Sequence, residues 1–284
     1  MKKKIRFVLT VAMLALLFTG CAAGGSNEMM VVSREDGSGT RGAFIELFGI
    51  EEKDADGNKV DHTTDEATIV NSTSIVMTTV AGNKNAIGYI SLGSLNDTVK
   101  AVKVDGVEPT VENIKNNTYK AFRPFNIATN GEISELAQDF ISFILSSDGQ
   151  KVVEDNGYIA SSEGNPYNGT KPSGKIVVAG SSSVTPVMEK LKESYLKLNP
   201  NAEIEIQLSD STTGMNSAIE GTCDIGMASR ELKESELSKL KPIVIAKDGL
   251  AIIVNKENSI SNLTSNQIRG IFKGEIVSWN EVVE

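Results

Sequence analysis

Residues 34 to 40 read Arg-Glu-Asp-Gly-Ser-Gly-Thr, and few stretches of that length bring together so many groups able to hold an anion. Arg34 offers a planar, permanently charged fork, and Ser38 and Thr40 offer hydroxyl donors. Gly37 and Gly39 let the backbone approach a ligand closely. Two apolar β-formers, Val31 and Val32, lead into this loop, and Ala43-Phe44-Ile45-Glu46-Leu47-Phe48 after it reads as the opening of a helix. A strand that turns into a helix leaves the first helical N–H groups without partners, at the positive end of the peptide dipoles. That geometry accepts an anion.

The same order of elements returns twice. Lys175 to Ala179 reads as a strand, Gly180-Ser181-Ser182-Ser183 as a polar loop, and the next segment as a helix with Met188, Leu191, Tyr195 and Leu198 on one face, ended by Pro200. Glu203 to Leu208, then Asp210-Ser211-Thr212-Thr213-Gly214, then a helix through Ala218 and Ile219 repeat the pattern. Burying a multiply charged ion without partners costs tens of kcal/mol on Born estimates. One charge-assisted hydrogen bond returns about 1.5 to 3 kcal/mol. Several loops must therefore converge if the ion is to be desolvated. None of the three carries the lysine of a nucleotide-binding P-loop, which disfavours nucleoside triphosphates. Strands alternating with helices predict an α/β architecture with its ligand at the strand ends.

The other elements are positioned around these units. Thr63-x-x-Glu66 predicts a capped helix, after a polar loop from Glu51 to Asp61, and Val76 to Val80 predicts helix or turn. Asn85 to Ile90 reads as a buried strand, and Val99 to Val104 with Asp105-Gly106 and Val107 as a hairpin. Ile133, Leu136, Phe140 and Phe143 form an apolar helical stripe, and Ser161 to Ser173 reads as a linker.

The chain of 284 residues is long enough for two lobes, with 40% hydrophobic and 23% charged residues. Lys2, Lys3, Lys4 and Arg6 precede an apolar run from Phe7 to Phe18, which predicts a secretion signal over residues 1–20. Leu17-Phe18-Thr19-Gly20-Cys21 resembles a lipobox, with Cys21 the acylated residue and 21–27 a flexible tether. Cleavage would remove four positive charges from a chain whose formal net charge is already −9. That balance argues against nucleic acid as a partner. Cys223 reads as a small buried apolar residue, and His62, the only histidine, as part of a polar connector without a catalytic partner.

Taken together, Val32 to Arg41, Ala179 to Val187 and Asp224 to Arg230 resemble the phosphate-binding receptors of the high-affinity phosphate ABC importer, the PstS family. The resemblance implies a type II periplasmic-binding-protein fold, two α/β lobes with a ligand cleft between them. It implies phosphate ligands at Arg34, Ser38, Gly39, Thr40, Ser182, Ser183, Ser211 and Ser229, with Asp36 as the acid that steadies Arg34. It further implies a monomeric, non-enzymatic lipoprotein without cofactor or metal, on the extracytoplasmic face of the cell membrane, delivering inorganic phosphate to permease and ATPase subunits.

Two departures from the family pattern carry weight. The Gly-Ser-Ser-Ser loop ordinarily precedes the Arg-Glu-Asp-Gly-Ser-Gly-Thr loop, and here the order is exchanged, as in a circular permutant. One lobe is then expected from 28–88 plus 252–284 and the other from 89–251. Ser229 stands where family members place an aspartate, so the carboxylate that accepts a phosphate proton and repels sulfate is missing. Sulfate, molybdate, tungstate or a phosphonate stays open as the ligand, and a secreted phosphate-ester hydrolase is the alternative from another class.

Overall fold

The computed structural model describes residues 27–282. The predicted signal, Cys21 and nearly all of the tether lie outside them. One continuous order of strands runs through the molecule: Ala202–Ser209, Gly174–Ser181, Ile225–Ala228, Phe122–Thr129, Lys241–Val254, Ala86–Ser91, Met30–Arg34 and Thr68–Val70. Parallel pairs lie toward both ends of this order, and antiparallel pairs join them in the middle.

The 14-residue Lys241–Val254 strand belongs to both lobes. Its first part pairs with Phe122–Thr129 as far as Gly249 opposite Phe122, and from Leu250 opposite Ser91 it pairs with Ala86–Ser91. Buried side chains divide at the same point. Alternation along the strands sends Val31, Ile87 and Ile252 to one face of the first lobe, with Phe44, Ile271 and Phe272, and sends Val32, Ala86 and Ile253 to the other, with Val76 and Val80. In the second lobe Ile176, Val178, Ile225 and Met227 pack with Leu136, Phe140, Phe143, Leu191 and Tyr195. Ala179 and Ala228 pack on the opposite face with Met215, Ala218 and Cys223. Sheets covered on both faces account for the near-continuous apolar character of these strands.

The two-lobed α/β fold expected from the sequence is present, and its division falls elsewhere than expected. Val102, Val104, Ile114, Tyr119 and Ala121 lie in the first core rather than the second, because Lys100–Ala101 returns to pair with Lys241–Val254 and Lys103–Val104 pairs with Asn262–Leu263. The boundary expected after residue 88 therefore moves to about Phe122. The strands that join the lobes are Phe122–Thr129 and Lys241–Val254, and Ala86–Ser91 stays within the first.

Local corrections follow from competing hydrogen bonds. Thr63 to Ala67 forms a turn, in which Asp61 accepts from the Thr63 N–H and hydroxyl, and the helix starts only at Thr73–Gly82, capped by Ser72. The polar segment from Glu51 to Asp61 closes into a small antiparallel pair. Asp105 and Gly106 take positive φ angles of 51° and 82°, as a primed turn requires, and Val104 bridges Val107 across it. Ile133 precedes the Glu135–Leu145 helix, and Leu198 is exposed, while Met188, Leu191 and Tyr195 are buried. Ser161 to Ser173 has no regular structure, yet Tyr167 anchors it by donating to Asp139. Cys223 is buried, and burial pushes its thiol up to about 11. His62 is exposed.

Candidate functional site

Four helix N-termini meet between the lobes. Two come from the first lobe, Gly39–Leu47 capped by Ser38 and Thr73–Gly82 capped by Ser72. The other two come from the second, Ser211–Glu220 capped by Asp210 and Thr185–Leu198 behind the Ser181-Ser182-Ser183 loop. Each follows a strand of the central order, so each presents the positive end of its dipole to the same space.

The structure brings the hydroxyls of these loops into contact across the cleft. Thr40 Oγ1 lies 2.7 Å from Ser183 Oγ and 3.1 Å from Ser229 Oγ. Thr73 Oγ1 lies 3.0 Å from Ser183 Oγ and 3.4 Å from Ser182 Oγ. Ser181 Oγ donates to Ser229 Oγ at 3.0 Å, and the Ser229 N–H donates to Ser211 Oγ at 3.1 Å. Arg34, Ser38, Thr40, Ser182, Ser183, Ser211 and Ser229 are all buried, and so is Gly39.

The lobes also meet backbone to side chain. Gly37 C=O accepts from both the N–H and the hydroxyl of Thr212 at 3.1 Å. A Cβ on Gly39 would lie 2.4 Å from Ser211 Oγ and 3.0 Å from Arg230 Cγ. Gly39→Ala is therefore expected to hold the cleft ajar and weaken anion binding about 5- to 100-fold, the range for one overpacked site. Titration calorimetry of the purified variant checks this, and unchanged affinity would contradict the contact's role.

Arg34 is 2% exposed, and its charge is balanced by Glu35, not Asp36. Glu35 takes both forks, Oε2 from Nε at 2.8 Å and Oε1 from Nη2 at 2.7 Å, leaving Nη1 to reach Thr73 Oγ1 at 3.5 Å. Asp36 is 95% exposed and pairs with Arg41 at 2.8 Å. The turn at Asp36-Gly37 carries Asp36 out to solvent, while Glu35, still at the strand end, stays beside the guanidinium. The role expected of Asp36 thus passes to Glu35. Glu35→Gln is expected to lower stability by about 1.5 to 3 kcal/mol, the worth of a hydrogen bond to a charged group. Asp36→Asn should leave the denaturant midpoint unchanged, and the reverse ranking in urea melts would restore Asp36.

Tyr89 forms the floor behind Arg34. Its hydroxyl lies 2.8 Å from Ser33 Oγ and accepts from the Arg34 N–H at 3.1 Å. Burial pushes that phenol up to about 12.

Three further groups join the site. Thr73 carried a signal that sequence reading passed over, since Ile69-Val70-Asn71-Ser72-Thr73-Ser74 is a fourth strand and hydroxyl-rich loop leading into a helix. Ser181 lies in the Gly-Ser-Ser-Ser loop beside its two named neighbours. Arg123, in Phe122–Thr129, is 3% exposed and donates from Nη2 to Thr40 Oγ1 at 3.3 Å. Arg123 pairs with Asp248 at 2.9 Å, and burial nevertheless holds the Asp248 carboxyl above its ordinary range.

The arrangement offers hydroxyls, helix termini and a cationic fork in a closed space, the requirements of a receptor for a small oxyanion. A family profile described as a PBP superfamily domain matches residues 2–148 and 165–283. The chain is 53% identical over 290 residues to phosphate-binding protein PstS 2 of Streptococcus agalactiae, covering 99% of each chain. The chain belongs to the PstS family. A crystal structure of the phosphate-binding protein of a phosphate ABC transporter from Streptococcus pneumoniae is similar at a TM-score of 0.71, with 46% identity, over 90% of this chain and 100% of that one. Another member, PstS of Staphylococcus haemolyticus, is 37% identical over only 111 residues, 36% of this chain and 35% of its own.

Proposed function

We propose that the chain is an extracytoplasmic receptor that closes its two lobes on inorganic phosphate and delivers it to an ABC importer. The single observation that carries this reading is the meeting of buried hydroxyls from both lobes, Thr40 and Thr73 against Ser182, Ser183 and Ser229, in front of the Arg34 guanidinium. In this reading Arg34, Ser38, Gly39, Thr40, Ser182, Ser183, Ser211 and Ser229 hold the anion, and Thr73 joins them. The names of the relatives, phosphate-binding proteins, support the choice of anion.

Ser229 favours a second reading at the level of selectivity. Its hydroxyl both donates and accepts but carries no charge. Glu35 and Asp248, the carboxylates beside the site's two arginines, are themselves engaged by Arg34 and Arg123. Sulfate then meets no uncompensated negative charge at these positions. Thermal melting with phosphate, sulfate, molybdate and a phosphonate in parallel tests both readings. Phosphate should give the largest upward shift. A larger shift with sulfate or molybdate would transfer the assignment to that anion, and no shift with any of them would overturn the receptor reading.

The exchanged order of the halves is part of the same proposal. Residues at the two ends of the described chain pair within the first lobe, where the Met29 N–H donates to Val277 C=O at 2.7 Å and the Trp279 N–H to Asn27 C=O at 2.9 Å. A permutation moves the chain ends to one surface site. A match of about a third of each chain to the staphylococcal relative is the alignment that exchanged halves produce. Acylation at Cys21 would tether this lobe to the membrane. No helix among the described residues is long and apolar enough to cross one.

A further inference from the structure

The geometry points to Arg123 as a positioning residue that sets the Thr40 hydroxyl as a donor to the bound anion and ties that hydroxyl to the joint between the lobes. The inference rests on the phosphate reading of the site. Arg123 leaves the Phe122–Thr129 strand at the point where that strand and Lys241–Val254 pass from one lobe to the other. Its guanidinium is shared among three parts of the molecule. Nη1 donates to Gly249 C=O at 3.1 Å and lies 2.9 Å from Asp248 Oδ2, both on the joining strand. Nε donates to Ser229 C=O at 3.1 Å, in the second lobe. Nη2 donates to Thr40 Oγ1 at 3.3 Å, in the first. Asp248 is itself fixed, because its Oδ1 accepts from the Gly93 N–H at 3.1 Å.

A hydroxyl has one proton and two acceptor lone pairs. Arg123 cannot accept a hydrogen bond, so its contact occupies a lone pair of Thr40 and leaves the Thr40 proton for another acceptor. An oxyanion only accepts. With the cleft shut, Ser183 and Ser229 take up the Thr40 proton and its remaining lone pair, and a bound oxyanion would take that proton in place of a serine oxygen. The same fork donates to the Ser229 backbone carbonyl, which anchors the guanidinium to the second lobe. Lysine, with a single nitrogen, cannot span these acceptors together.

A double-substitution cycle tests the inference by calorimetric phosphate titration, with melting of the unliganded protein as the control for folding. R123M and T40V are each expected to weaken phosphate about 10- to 100-fold, the worth of a hydrogen bond to a charged group. The double variant should lose no more than about threefold beyond T40V, because the arginine acts through that hydroxyl. Losses that multiply in full would overturn the inference while leaving the receptor reading intact. R123K keeps a charge beside Asp248 and serves in the same cycle if R123M does not fold, with the same non-additivity expected. Wild-type protein that gives no heat with phosphate would overturn the phosphate reading and this inference together.

Discussion

Arg34→Ala is expected to weaken phosphate binding at neutral pH by roughly 30-fold to several thousand-fold. The estimate follows from removing one member of a desolvated, hydrogen-bonded charge pair, which costs about 2 to 5 kcal/mol. Arg34 is 2% exposed, so water cannot replace the guanidinium, and Glu35 is left with nothing to balance it at the edge of an anion site. The vacated charge also changes sign for the ligand. A carboxylate freed from its partner repels an incoming oxyanion through a medium that screens poorly. Arg34→Lys should recover little, since an ammonium is a point charge and cannot bridge both Glu35 oxygens and Thr73. Calorimetry on both variants checks this, with melting curves to show that they fold. Phosphate affinity within about threefold of wild type in Arg34→Ala would remove Arg34 from the site.

Phe44→Ala is expected to have the largest effect on stability. Phe44 is fully buried, stacked on Tyr89 at a centroid distance of 3.9 Å and packed edge-on against Phe272 at 4.6 Å. Truncating a buried phenylalanine costs about 3 to 5 kcal/mol, through lost transfer free energy and the cavity left behind. For a chain of this size that corresponds to a fall in Tm of roughly 6 to 20 °C. The effect reaches the site because Phe44 clamps the ring whose hydroxyl positions Ser33 and the Arg34 backbone. Phosphate affinity should fall as well, by less than for Arg34→Ala. Urea and thermal melts decide the matter, and an unchanged midpoint would contradict the packing described.

How far the sequence carried this account can be seen residue by residue. The loops at Ser38 to Thr40, Ser182 to Ser183 and Ser211 were legible because a polar loop between a β-run and a helical stripe is a local pattern. Thr73 obeys the same pattern but was masked by Thr63-x-x-Glu66, a stronger capping signal that the Asp61 side chain diverts into a turn. The exchange of roles between Asp36 and Glu35 depends on one turn's direction, which residue types do not determine. Arg123 was invisible for a different reason. Its partners Asp248 and Ser229 lie more than a hundred residues away, and within Phe122–Thr129 it has the appearance of an ordinary strand residue. The lobe boundary was misplaced on the same ground, since it is long-range pairings, Ala101 with Ile253 and Lys103 with Asn262, that place 89–121 in the first lobe.

The central claim is that the closed cleft between the lobes is a phosphate site. Titration calorimetry of the purified protein with inorganic phosphate, repeated with sulfate as competitor, addresses it most directly. The expected result is one phosphate per chain, with an affinity at least about 30-fold lower in Arg34→Ala. Absence of any phosphate heat at millimolar ligand, or binding of equal strength in Arg34→Ala, would contradict it.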